Sequence, residues 1–207
     1  MKNLMKLSLL ALTLISFSFI NLNEKNKEEI NVVIDAGHGG IDLGATMNGL
    51  SEKSIVESIS TKIRIANNNS NVKIHFTRTE DKLITLQERV DFINGIKPDL
   101  VISLHANSSK NSDANGIECF VSDKSSEYVT SNELAEKLMT SFSLKTPLNI
   151  RGVKKAPFFI LKKSEVPAIT LEIGYISNTK DKDYISTENG QTEIAKIILD
   201  FASNLKS

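Results

Sequence analysis

Val32-Val33-Ile34-Asp35-Ala36-Gly37-His38-Gly39-Gly40 decides the reading of this chain. Apolar residues followed by an acid and a glycine-rich turn spell a buried strand running into a tight loop, where glycine supplies backbone conformations that other residues adopt poorly. His38 then stands at the carboxyl end of a strand, the edge at which open α/β sheets bind ligands. Such a loop presents the histidine to a site, cradles a phosphate on its backbone amides, or is an ordinary turn with a solvated histidine. Residues further along decide between them.

Working outward, Ile55, Ile59, Ile63 and Ala66 recur at helical spacing, with Ser51 placed to cap that helix and Glu52 in its first turn. Val72, Ile74 and Phe76 alternate with polar residues as a second strand, and Thr85 can cap a helix carrying Leu86, Val90 and Ile93, closed by Gly95 and Pro98. Asp99 to Asn107 reads as a third apolar strand and again ends in a histidine, His105. Two strands thus deliver one imidazole each to one edge of a sheet. Further strands are expected at 117–121, 158–161 and 168–173, and helices at 131–141 and around Ile194, Ile197, Ile198, Phe201 and Leu205. Strands alternating with helices predict a single three-layer α/β domain: a mostly parallel or mixed sheet of about six strands with helices on both faces.

Composition bounds the partners. With 25 basic and 25 acidic residues there is no field to steer nucleic acid, so no nucleic-acid partner is expected. Lys2 and Lys6 precede the uncharged run Leu7 to Ile20, 14 residues, shorter than the roughly 20 a membrane helix needs. The expected organisation is a signal peptide or N-terminal anchor over 1–22, a short charged tether over 23–30 and one catalytic domain over 31–207. Cys119 has no cysteine to pair with and reads as a buried structural thiol.

Of three histidines, His75 falls on the polar phase of its strand and reads as solvent-facing. His38 and His105 need one carboxylate to make a common catalytic zinc arrangement with an open fourth position. Glu52 can supply it, or can simply be a favourable charge at a helix N-terminus. Glu172 sits inside the apolar run Ala168 to Ile176, where a charge is costly unless partnered, so it is either a base of shifted pKa or the water-facing residue of an alternating strand. Arg78, Arg151 and Lys155 can contact an acidic substrate or serve as surface charges.

These stretches, together with Gly49-Leu50-Ser51-Glu52-Lys53, Thr77-Arg78-Thr79-Glu80-Asp81, Ser103-Leu104-His105-Ala106-Asn107 and Leu171-Glu172-Ile173-Gly174-Tyr175-Ile176-Ser177-Asn178, resemble the zinc-dependent N-acetylmuramoyl-L-alanine amidases of the family-3 type. The resemblance spans about Asn31 to Leu205. It implies that His38, Glu52 and His105 hold one zinc ion, that Glu172 is the catalytic carboxylate, and that the substrate is the amide joining the lactyl group of N-acetylmuramic acid to L-alanine in peptidoglycan. Asp35 and Asn107, near the ligand positions, either fix an imidazole tautomer or serve a simple turn, and Arg78 and Arg151 either lie toward the substrate or are ordinary surface charges. With the N-terminal segment, an exported, monomeric enzyme of the periplasm or cell envelope is expected, with an envelope activator as a partner to be sought. Inactive relatives carry a long extra helix over the zinc; only one helix fits between Ser108 and Gly152, so no such plug is expected. A wall-binding domain without catalysis, and a zinc peptidase acting on the stem peptide, are the rival readings.

Overall fold

The computed structural model describes residues 28–206, so the expected export segment and most of the tether lie outside the described residues. Among the described residues, eight strands and six helices follow one another: β1 (Ile30–Ala36), β2 (Thr46–Met47), β3 (Leu50–Ser51), α1 (Glu52–Ala66), β4 (Val72–Phe76), α2 (Leu86–Ile96), β5 (Leu100–Asn107), β6 (Ile117–Val121), α3 (Tyr128–Lys145), β7 (Ile150–Lys155), α4 (Phe159–Lys163), β8 (Ala168–Tyr175), α5 (Thr179–Ile185) and α6 (Glu188–Ser203). Six strands form one mixed sheet in the order β4-β1-β5-β8-β6-β7, and β2 and β3 make a small hairpin. Among the described residues no helix is long and apolar enough to cross a membrane.

The chain leaves β1 for β4 on one side and returns to β5 on the other, so strand order reverses between β1 and β5. Loops after two such strands part and open a crevice at their carboxyl ends. His38 and His105 lie on either side of it.

The two faces of the sheet are covered unequally. On one, α1, α3, α5 and α6 bury a large core that includes Ile34, Ile55, Ile59, Ile102, Leu138, Phe142, Leu171 and Ile198. On the other, among the described residues, only α2 and the five-residue α4 pack down, through Val90, Ile93, Ile160 and Leu161 onto Val33, Val101 and Ala168. Paired positions share a face, so register places Asp35, Ser103 and His105, then Thr170 and Glu172, then Phe120 and Glu118 on this thinly covered side. Their half of the face stays open as a groove.

Caps form where expected. Ser51 accepts from the Ser54 amide, and Thr85 and Glu88 make a reciprocal capping box. Three expectations are corrected. Residues 158–161 are not a strand: Phe158 is extended and the next five residues form α4, because a four-residue apolar run fits either state and here one helical face, Ile160 and Leu161, is buried. Strand β7 was not expected, since Gly152, at φ 82°, and a shift of register break the alternation of an exposed edge. Helix α3 spans 128–145 rather than 131–141. It is the one helix described between Ser108 and Gly152, and it packs on β6, β7 and α6. Cys119 is fully buried, and burial pushes its thiol upward, as suits an inert core residue.

Candidate metal centre

His38 follows β1 in a left-handed conformation, φ 60°, with Gly39 and Gly40 also at positive φ. Such backbone costs energy for a histidine and persists only where surroundings enforce it. They do: Arg89 of α2 donates to the carbonyls of Ala36 at 2.7 Å and His38 at 2.6 Å, and Arg78 to those of Ala36 and Gly37, each at 3.0 Å. Across the loop, Lys53 and Asp81 clamp Gly40 through its carbonyl and amide.

The loop brings His38 Nε2 to 3.0 Å from Glu52 Oε1, which lies 2.8 Å from His105 Nδ1. One donor atom from each of the three falls within 4.8 Å of the others. Glu52 also accepts from the amides of Ala45 at 2.9 Å and Ala106 at 3.1 Å. Two glycines make the approach feasible. A Cβ on Gly37 would sit 2.5 Å from His105 Cε1, and one on Gly44 would sit 2.5 Å from Glu52 Oε2. Burial would raise the Glu52 carboxyl, but both imidazoles outweigh it and hold it far below the carboxylate range. In return Glu52 makes His38 more basic, and does the same for His105 against the opposing effect of burial. Two imidazoles and a carboxylate at this spacing are a donor set suited to zinc.

Asp42 completes the loop. Its Oδ2 lies 2.9 Å from His38 Nδ1, which fixes that nitrogen as the donor and turns Nε2 toward Glu52. Sequence reading missed Asp42; the available signal was a carboxylate four residues after a loop histidine. Asp42→Ala is expected to weaken zinc binding ~10- to 100-fold. Competition with a chromophoric chelator measures this, and an unchanged affinity would remove Asp42 from the centre.

Glu172 stands beside the centre, paired in register with His105. Its Oε2 is buried without a hydrogen-bond partner among the described residues, and burial pushes the carboxyl up to about 7 against the pull of His105. With Ser103, His105 and Thr170 it floors a cleft of about 290 Å³ walled by Leu86, Phe158, Phe159 and Ile160. A second cavity of about 260 Å³, reaching His38, Asp42 and Leu83, shares Leu86, His105 and Ile160 with it. A groove therefore crosses the centre. The larger hollow between α1 and α6, about 560 Å³, lies elsewhere, and there Lys62 and Glu188 pair with each other at 2.6 Å.

The remaining expected residues are dispersed. Asp35 reaches neither imidazole: wholly buried, it accepts from Arg89 at 2.5 Å and from Thr77 and Ser103 at 2.7 Å each, and so anchors the arginine that braces the loop. Arg78 is 4% exposed and occupied by backbone carbonyls and Glu57, so it supports the loop from beneath instead of facing substrate. Asn107 turns to Glu118 at 2.7 Å, and Arg151 also binds Glu118, at 2.9 Å. Lys155 lies over the Tyr128 ring, and His75, outside the donor set, bonds to Asn31.

The model of the N-acetylmuramoyl-L-alanine amidase family matches residues 32–204. The chain belongs to the N-acetylmuramoyl-L-alanine amidase family. This amidase domain is 32% identical over 169 residues to the N-acetylmuramoyl-L-alanine amidase LytC of Bacillus subtilis, a match covering 82% of the chain and 34% of LytC. It is 33% identical to the probable cell wall amidase LytH of Staphylococcus saprophyticus, covering 80% of the chain and 55% of that protein. The match thus spans between a third and little more than half of those relatives. Among solved structures, an N-acetylmuramoyl-L-alanine amidase from Clostridium difficile 630 superposes with a TM-score of 0.81 at 29% identity, covering 87% of this chain and 98% of that one. The CwlV catalytic domain from Bacillus (Paenibacillus) polymyxa gives 0.78 at 31%, covering 85% and 97%. The six-stranded amidase architecture expected from the sequence is the one observed.

Proposed function

We propose that this chain is a zinc-dependent amidase that hydrolyses the bond between the lactyl group of N-acetylmuramic acid and L-alanine in peptidoglycan. The observation that carries the reading is Glu172, whose buried Oε2 has no hydrogen-bond partner among the described residues, in register with one imidazole of a His–Glu–His donor set. His38, Glu52 and His105 would hold the ion. Bound there, zinc supplies Lewis acidity, which polarises an amide carbonyl and brings the pKa of a water toward neutrality. Glu172 takes the proton from the attacking water and returns it to the alanine nitrogen as the carbon–nitrogen bond breaks. A muramoyl carboxylate and a free amine result. A carboxyl near 7 suits both transfers, since it is as ready to accept a proton as to release one at neutral pH.

The relatives' names, cell wall amidases among them, support an envelope setting. Residues 1–22 would then direct export and 23–30 tether a monomeric domain acting on peptidoglycan, with any activator docking from outside the chain.

Digestion of purified peptidoglycan tests the whole reading. The expected products are stem peptides with a free N-terminal L-alanine, lost when a chelator is added and restored by zinc. Cleavage inside the peptide, with stems still joined to glycan, would make the protein a peptidase. Binding without cleavage would make it a wall-binding module.

A further inference from the structure

The row of side chains that runs from His105 to Glu172 does not stop there. The next strand places Glu118 in register with Glu172 on the same face, and Glu118 is 2% exposed. It accepts from Asn107 at 2.7 Å and the Tyr175 hydroxyl at 2.9 Å on one oxygen, and from Arg151 at 2.9 Å and the ammonium of Lys154 on the other. Two cations thus share one carboxylate. Arg151 spends Nε on Glu118 and Nη1 on the Asn115 carbonyl at 3.3 Å, leaving Nη2 without a partner among the described residues, and its guanidinium lies over the Tyr175 ring. Lys154 spends one of three donors on Glu118 and lies beside Phe120, whose register position faces Thr170 of the groove floor. Both cations are more than a third exposed. Asp181, the other carboxylate felt by Arg151, accepts the amides of Gly116 and Tyr175.

A buried carboxylate holding two half-exposed cations, with donors to spare, is a preorganised anion site, and the guanidinium is the group best matched to a second carboxylate. Its place in the row says which part of a substrate it meets. The metal donors lie to one side of Glu172 and the cations to the other. On the amidase reading, on which this inference rests, the nitrogen receiving the proton from Glu172 belongs to the departing peptide, so that peptide leaves on the cation side. We propose that Arg151 and Lys154, held in place by Glu118, form a subsite for a free carboxylate on the peptide released by the enzyme, and that they make the enzyme prefer acidic stems to amidated ones.

The test compares two soluble probes, N-acetylmuramoyl-L-alanyl-D-glutamate and the same compound with both glutamate carboxylates amidated, using the zinc-loaded full chain. Wild type is expected to favour the acidic probe at least tenfold in kcat/KM, mainly through KM, with a preference that shrinks as salt is added. Arg151→Gln and Lys154→Gln should each reduce that ratio, and together bring it to within about twofold. The released dipeptides, titrated into the wild type and followed by NMR shifts, should show the same order of binding without any turnover. A wild type that cuts both probes equally well, or variants that keep the preference, would overturn the subsite while leaving the amidase reading standing. A wild type that cuts neither probe yet cleaves stem peptides internally would overturn both. The wild-type ratio needs no variant, so a folding defect cannot conceal the answer.

Discussion

Glu172→Gln is expected to lower amide hydrolysis by ~100- to 10,000-fold, the range over which a positioned general acid and base contributes, while leaving the fold intact or firmer. The two halves of that result have one cause. Glu172 is ionisable and half-buried, and its buried Oε2 has no hydrogen-bond partner among the described residues, an arrangement that serves proton transfer and not stability. Its folded pKa, about 7, lies above the ordinary value of 4.5, so the folded state binds its proton more tightly than the unfolded chain does. Stability is therefore lost as pH rises from the lower value to the higher, and by pH 8 the full penalty is present. A neutral amide escapes it. Melting of chelator-treated protein should accordingly show the variant equal to or above wild type at pH 8 and little different near pH 4, with zinc uptake preserved. A variant that keeps a tenth of the activity would remove Glu172 from the catalytic role, and one that melts far below wild type would show that its carboxyl supports the fold after all.

The largest loss of stability is expected from Arg89→Leu, about 3–5 kcal/mol, because removing one partner strands the other charge in the interior. Asp35 is 0% and Arg89 3% exposed, and Asp35 accepts from Thr77 and Ser103 as well. The double variant with Asp35→Asn should recover part of the loss, as interacting neighbours are not additive. Burial alone would raise the Asp35 carboxyl, but the charge of Arg89 and the hydrogen bonds outweigh it and hold it below its ordinary 3.8. The stability this provides is complete above the unfolded value and drains away as pH falls through the folded one. Urea midpoints across pH 2 to 6 would show the wild type losing stability below about pH 4, more steeply than the double variant. Equal slopes would mean that the pair does not carry the acid sensitivity. Since Arg89 also holds the carbonyls of Ala36 and His38, its loss should loosen the metal loop too.

How much of this the sequence carried depends on the range of the determining interaction. The strand ending at His38, the strand ending at His105 and the caps at Ser51 and Thr85 are local patterns, and all four stand where expected. The six-stranded sheet followed from alternation of elements, but its antiparallel β6–β8 contact had no local sign. Edge strand β7 was invisible because a solvent-exposed, glycine-broken strand has no alternation to display. Within the site, residue types that look interchangeable in sequence part company by depth. Arg78 and Arg151 both read as substrate contacts, yet one is sealed beneath a loop and the other stands at the sheet edge beside a buried glutamate. Asp35 read as a partner for an imidazole and instead neutralises a guanidinium contributed 54 residues later. Such pairings are fixed by the tertiary crossing of β1 and α2, and no spacing rule encodes them.

The unequal clothing of the sheet bears on how this protein can change. Hydrophobic contacts on the groove side belong to a small cluster separate from the main core. Distant substitutions combine almost independently. Exchanges at Phe120 or Phe159, which pack against that small cluster, therefore draw on a different set of contacts from those of the main core. New substrate preferences can be tried there one residue at a time, with the long helices behind the sheet acting as an undisturbed chassis.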